Sequence, residues 1–222
     1  MTAAEGPPDS LADWCRVRAE VGWAELGTEG VTGPVIPAAD GVTAWCGGPV
    51  SRRDPVRARR LLAAYEAVRA DAARDTARDR PLDFGLLSGW QRVVLAVRDA
   101  PFRTGDAYAK RGRERYGLTA GTPGDFARCL KESGDRTVPL EARAARAFLD
   151  VAFFHPFADG NARAALLALT FVLARERVFL AEVEPLQTTR YADDAAGAAD
   201  LALLVRILVR RSAEGARDAG AR

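Results

Sequence analysis

A mostly α-helical single domain is the fold class this sequence predicts, and three observations predict it. Alanine, the best helix former, supplies 44 of the 222 residues. Apolar side chains recur at three- and four-residue steps in successive segments, the period of one helix face. The length lies near the upper end of one ordinary domain, and no internal repeat or long linker divides it.

The elements follow in chain order. Residues 1 to about 10 read as a loose tail. Ser10 before Leu11, Trp14, Val17 and Val21 predicts a capped amphipathic helix. From Gly27 to Pro49 the chain is rich in Gly and Pro, which predicts a loop with one short strand pair. After Pro55 and Val56, the spacing of Leu61, Leu62, Tyr65 and Val68 predicts a helix running to about Arg74, with Asp71 to Arg80 as its solvated end and a link. Pro81 to Phe84 opens another helix carrying Leu86, Leu87, Trp90, Val93, Val94 and Val97, which Pro101 stops.

Phe102 to Leu118 lacks helical periodicity and reads as a short hairpin or an irregular loop. Its Arg103, Lys110, Arg111, Arg113 and Arg115 are either a solvated face or contacts for phosphate. Phe126, Cys129 and Leu130 mark a short helix. Two long helices follow, Glu141 to Phe154 and Asn161 to about Arg177. The second is apolar over much of its circumference, which predicts a central position. A last helix spans about Ala195 to Arg211. The expected organisation is an N-terminal helix and loop extension over 1–50, a helical domain over 51–211 and a frayed tail over 212–222.

Charge and composition exclude several classes. Thirty-two basic residues against 30 acidic ones give a formal +2, too even a balance to imply nucleic acid or membrane. The three cysteines, at 15, 46 and 129, lack metal or redox spacing and suit a reducing cytosol. Glu5 and Asp9 stand where a signal peptide needs a basic flank and an apolar run. No stretch reaches 18 uncharged apolar residues, and Arg206 breaks the longest run near the end. These readings predict a soluble cytoplasmic protein without nucleic-acid or membrane partners.

Chemistry concentrates at His155-Pro156-Phe157-Ala158-Asp159-Gly160-Asn161-Ala162-Arg163, between the two long helices. His155 is the sole histidine. Pro156 ends the preceding helix near it, and Asp159, Gly160 and Asn161 make a tight turn with Gly160 suited to a positive φ. Asn161 is expected to cap the next helix. The unpaired first-turn N–H groups attract anions, Arg163 adds a forked donor for phosphate, and Asp159 can hold a divalent cation. His155 can take a proton from a hydroxyl. The same residues also have a purely architectural reading, with Asp159 and Asn161 as caps, His155 as a helix-end hydrogen bonder and Arg163 as a surface charge.

At these residues the chain resembles the Fic/Doc (Fido) family of nucleotide-dependent protein-modifying enzymes. The family signature runs His-Pro-Phe-x-Asp/Glu-Gly-Asn-Gly/Lys-Arg-x-x-Arg, and this chain reads HPFADGNARAAL. The resemblance covers about Pro81 to Leu208, with PFRTG at 101–105 similar to the segment leading into the family's flap. It implies a Fic/Doc-like helical bundle with a short flap hairpin. It also implies transfer of a nucleotide fragment, most often AMP from ATP, to a Ser, Thr or Tyr hydroxyl of a target protein. In that reading His155 is the general base and Asp159 holds Mg²⁺. Gly160, Asn161 and the Ala162 amide form the anion hole, Arg163 grips a phosphate, and Phe157 anchors the loop.

Two positions depart from the AMP-transferring pattern. Ala162 replaces the usual Gly or Lys and keeps only its amide. Leu166 stands where the second arginine is expected and cannot bind phosphate. Doc toxins also carry Leu there, and by resemblance transfer the γ-phosphate; this chain differs from them in lacking Lys at 162 and in having Gly at 160. The family's inhibitory Ser/Thr-x-x-x-Glu-Gly/Asn pattern finds only TVPLEA at 137–142, which ends in Ala and is misplaced, so built-in inhibition of that type is not expected. A separate antitoxin is conceivable.

Lesser candidates are Cys129, whose neighbours Arg128 and Lys131 could lower its pKa, and Tyr108 and Tyr116 as flap or target contacts. The scattered tryptophans read as core, and Asp193 and Asp194 serve the last helix's start. Three classes of function remain: an active nucleotidyltransferase or kinase of Fic/Doc type, a nucleotide-binding pseudoenzyme, and an unrelated helical interaction domain.

Overall fold

The computed structural model describes residues 8–26, 33–74 and 81–220. Helix α1 spans Ser10–Glu20. Its cap is Asp9 rather than Ser10: the Asp9 carboxylate accepts from Leu11 N at 3.1 Å, and Ser10 is already helical. Asp9 has a second task that takes precedence over sequence preference, since the same Oδ1 accepts from Gly117 N at 2.8 Å and ties α1 to the hairpin exit.

The expected Gly/Pro-rich loop holds over 33–40, which is irregular chain, but from Gly41 it gives way to helix, and no strand pair forms among the described residues of this stretch. Asp40 caps a short α2 (Gly41–Trp45), accepting from Thr43 N at 2.9 Å. A π-helical turn over Cys46–Val50 carries the chain into α3 (Ser51–Arg53), and Asp54 breaks it before α4 (Pro55–Arg74). Only one isolated bridge, Val35 with Val178, joins the described part of this stretch to another strand-like segment. Residues 27–32 and 75–80, on which parts of the loop and link readings fall, lie outside the described residues.

Helix α5 spans Phe84–Leu95. Strands β1 (Ala107–Ala109) and β2 (Glu114–Tyr116) form the expected hairpin, antiparallel, with Ala107 opposite Tyr116 and Ala109 opposite Glu114. Then come α6 (Thr122–Lys131), α7 (Leu140–Phe154), α8 (Asn161–Arg175) and α9 (Ala195–Gly220). The frayed tail is corrected: α9 continues through 212 because Ser212 is buried, donating to Leu208 O and accepting from Ala181 N.

Helix α8 is central, as its sequence requires. Every residue from Ala164 to Arg175 is buried, with α7, α4 and α5 packed around it and α9 on the far side of α7. Ala142, Ala145, Ala164, Ala165 and Ala168 are buried on these helices, where small side chains let backbones approach. The N-terminal helix belongs to the same core, with Trp14 and Val17 buried. A polar knot fastens it: Asp150, on α7 and 1% exposed, accepts from Trp14 Nε1 at 3.1 Å and from Arg18 Nε at 2.7 Å. Trp23 and Trp90 are also core residues, whereas Trp45 is half-buried. Among the described residues no helix is long and apolar enough to cross a membrane.

Candidate active site

The site is the joint between α7 and α8. His155 closes α7 in a left-handed conformation (φ 50°, ψ 54°), while its N–H still reaches Val151 O at 3.2 Å. Pro156 disfavours the α region at the residue before it, so the chain must leave the helix here. The imidazole stacks on Tyr116 of β2, with ring centres 5.0 Å apart. Its Nδ1 lies 3.1 Å from Ala152 O. A carbonyl only accepts, so Nδ1 carries the proton and Nε2 keeps its lone pair. Burial pushes the His155 pKa below its ordinary value; the Ala152 bond opposes this, while the charges of Arg103 and Lys110 reinforce it.

Phe157 turns into the core and stacks on Phe84 at 5.5 Å. The turn that follows differs from the expected cap. Gly160 precedes the helix at φ 77°, and Asn161 is the first helical residue. The Asn161 side chain reaches backwards, accepting from Phe157 N at 2.9 Å and donating to Phe157 O at 2.8 Å. It therefore shapes the loop and has no amide end left for a ligand. Gly160 N donates to Asp159 Oδ1 at 2.6 Å, so the anion cradle reduces to the amides of Asn161 and Ala162. Neither has a partner among the described residues. The next two amides, of Arg163 and Ala164, both return to Gly160 O.

Gln91 is a site residue that the sequence reading missed. It is fully buried on α5 and donates through Nε2 to Asp159 O at 2.5 Å. A glutamine in the apolar stripe between Leu87 and Val94 was the available signal. Its approach also fixes Gly160, because a Cβ there would meet Gln91 Nε2 at 2.5 Å.

Asp159 projects into solvent, with its side chain 76% exposed, and pairs with Arg163 Nη2 at 3.3 Å. Arg163 Nη1 lies 3.5 Å from Val94 O. A phosphate arriving here competes with Asp159 for the guanidinium, and a fork has donors for both. Among the described residues no group of three or more His, Cys, Asp or Glu could cage a metal. The one exposed carboxylate beside free amides suits a cation such as Mg²⁺ only as shared with a ligand's phosphates, the mode that ion favours.

Arg103 contradicts both readings of the 102–118 stretch. It is neither solvated nor free for phosphate, but buried as a clamp. Its side chain donates to Gly105 O (2.5 Å), Gly117 O (2.9 Å) and Phe154 O (3.4 Å), and its own amide donates to Pro156 O at 2.8 Å. Tyr116 is likewise buried, its hydroxyl donating to Glu114, so it supports His155 instead of meeting a target. Tyr108, 58% exposed, remains at the surface beside the site. Cys129 is corrected as well: burial and Asp150 push its thiol up to about 12, away from reactivity. Asp194 does serve α9, accepting from Gly197 N at 2.8 Å.

These elements enclose a cleft of about 730 Å³, a size that holds a small-molecule ligand. One wall is His155 and residues 158–163. The other, which sequence reasoning did not place, comes from the segment spanning α2 to α4 and includes Trp45, Arg53, Asp54 and Arg57. Tyr108 of the hairpin and Gln187 also line it.

Comparison with known proteins agrees with this architecture. The Fic/DOC family model matches residues 90–173. A Fic domain containing signaling protein from Bacteroides thetaiotaomicron aligns over 72% of this chain and 69% of its own, with a TM-score of 0.51 and 17% identity. A segment of Fic-1 from C. elegans aligns over 96% of this chain and 71% of its own, with a TM-score of 0.50 and 16% identity. No curated protein matches the chain in sequence.

Proposed function

From the premise that this chain has a Fic-domain fold, with residues 90–173 matching the Fic/DOC family, we propose that it transfers AMP from ATP or a related nucleotide to a protein hydroxyl. The observation that carries the reading is the shared cleft. It brings an imidazole whose Nδ1 is committed to Ala152 O together with the two free amides that open α8.

In this reading the nucleotide's phosphates lie on the amides of Asn161 and Ala162, with Arg163 as a further donor. Gly160 permits the approach and Asn161 holds the loop in shape. Asp159 would hold Mg²⁺ beside the phosphates, and the ion would supply neutralisation of the leaving group's charge. The target's Ser, Thr or Tyr hydroxyl gives its proton to His155 Nε2 as its oxygen attacks the α-phosphorus. The bond from that phosphorus to the bridging oxygen breaks, pyrophosphate leaves, and a phosphodiester joins AMP to the target. Tyr108 stands exposed at the cleft, where a target segment would pass.

A second reading is favoured by Leu166. It is buried on α8, so that helix places no second cation in the cleft and does not by itself fix which phosphorus faces His155. In the alternative the hydroxyl attacks the γ-phosphorus and ADP leaves, as the resemblance to Doc implies. If neither transfer occurs, the cleft serves nucleotide binding alone, and a separate protein inhibitor or antitoxin remains a partner to test.

The deciding experiment incubates wild type and His155→Ala in cell lysate with Mg²⁺ and ATP labelled at the α- or the γ-phosphate. Protein label from the α position alone, lost in the variant, is the expected result. Label from the γ position alone would replace AMP transfer by phosphotransfer. Absence of label from ATP, GTP, UTP and CDP-choline would overturn the catalytic reading.

A further inference from the structure

The wall of the cleft facing α8 is built from a distant part of the chain, and its basic residues have no role in the reaction described above. Arg53 ends α3 and Arg57 lies in the first turn of α4, and both line the same cleft as residues 158–163. Arg53 makes no ion pair or hydrogen bond to another described side chain, and Arg57 has one loose pairing, Nε to Asp54 Oδ2 at 3.6 Å. That distance is beyond a hydrogen bond, so the terminal nitrogens of Arg57 keep their donors. Arg163 is the one basic residue that α8 contributes to the cleft lining, and it is already engaged by Asp159 and Val94 O. Burial holds the Arg163 guanidinium below its ordinary pKa; the charge of Asp159 opposes this and that of Arg57 adds to it. Arg53 and Arg57, with uncommitted donors on the wall opposite Arg163, are placed for an anion lying between the two walls.

Resting on the nucleotide reading, we propose that Arg53 and Arg57 bind the outer phosphates of a nucleoside polyphosphate whose inner phosphate sits on the α8 amides. The α3–α4 junction would thereby read the length of the phosphate chain. A monophosphate reaches the Asn161 and Ala162 amides and stops. A di- or triphosphate extends to the opposite wall, where forked guanidinium donors meet its oxygens and Asp54 is released from Arg57. The cleft carries acidic groups as well, Asp54, Asp159 and Glu184, so the selectivity comes from placed donors and not from an excess of positive charge.

The test measures binding without catalysis. Calorimetric titrations in Mg²⁺ would compare mono-, di- and triphosphates of adenosine, guanosine, cytidine and uridine on four proteins: wild type, Arg53→Ala/Arg57→Ala, Arg163→Ala and Arg59→Ala. Arg59 is an exposed arginine of α4 that does not line the cleft. Both targeted side chains are exposed, so circular dichroism should confirm that the double variant folds. The expected result is a wild-type preference for triphosphate over monophosphate that falls about tenfold or more in the double variant, from the loss of charge-assisted hydrogen bonds. Monophosphate affinity should stay unchanged, and Arg59→Ala should behave as wild type. A double variant that retains the preference, while Arg163→Ala loses binding, overturns this assignment and leaves the nucleotide reading intact. A wild type indifferent to phosphate number also overturns it. A wild type that binds none of the nucleotides removes both.

Discussion

Asn161 closes on Phe157 with both ends of its side-chain amide, one accepting from the Phe157 N–H and the other donating to the Phe157 carbonyl. The clasp spans the turn containing Asp159 and Gly160 and sets where α8 begins. Asn161→Asp keeps the acceptor and loses the donor, leaving the buried Phe157 carbonyl facing a carboxylate. The expected cost is about 1–3 kcal/mol, which for a chain of this size lowers the melting temperature by roughly 2–4 °C per kcal/mol. Thermal unfolding of Asn161→Asp and Asn161→Ala checks this; melting temperatures equal to wild type would show that the clasp does not hold the loop.

The single histidine makes the proposed base directly observable. A proton NMR titration should give one imidazole Cε1–H resonance with its midpoint below 6.5, because burial opposes the charged ring. The unfolded chain takes its proton at the ordinary value and the folded chain only at lower pH. Stability should therefore fall as pH drops through that window, while the lone pair on Nε2 persists at neutral pH. A midpoint above 6.5 would contradict this environment.

Gly160→Ala places a Cβ against Gln91 Nε2 and leaves a non-glycine residue at φ 77°. Backbone strain of this kind costs about 1–3 kcal/mol, and the clash adds to it. Gln91→Ala in the same background should recover the part due to the clash and none of the part due to φ. Chemical denaturation of the two single variants and the double variant separates the contributions; strictly additive losses would argue against the contact.

Asp150→Ala removes the acceptor of Trp14 and Arg18 from a buried position. Breaking one side of a buried charge pair typically costs about 3–5 kcal/mol, because the remaining charge is stranded. Urea unfolding should show a loss in this range, and limited proteolysis should reach α1 sooner. A loss below about 1 kcal/mol, the level of a surface pair, would mean that Arg18 finds Glu132 or water sufficient.

The long helices were legible because each carries its burial pattern locally: the continuous apolar surface of α8 and the capping Asp194 of α9 are readable without knowing any neighbour. The end of α9 was not, since Ser212 reads as polar in sequence and is buried only because Ala181 N needs an acceptor there. The same competition misdirected the reading of Asn161. Asp-Gly-Asn before a helix offers several local hydrogen-bonding arrangements, and the choice of Phe157 as partner follows from how Pro156 turns the chain. His155 and residues 159–163 were found together because they are contiguous. Arg53 and Arg57 were not, because about a hundred residues separate them from the motif and only packing of α4 against α8 brings them to one cleft. Gln91 and Arg103 act on backbone carbonyls, and no spacing rule records such contacts.

The carbonyls held by Arg103 belong to both roots of the hairpin and to the last turn of α7, and its own amide holds Pro156 just beyond. The hairpin is thus a lever with a pinned fulcrum. Its tip at Arg111 and Gly112 is exposed, while its base is tied to the backbone on either side of His155. Any displacement of β2 would reach the imidazole through Tyr116, which stacks on it. Hydrogen exchange should record the division, fast at Arg111 and Gly112 and slow at the Arg103 amide; equal rates at the two would mean that the whole arm floats free of the joint between α7 and α8.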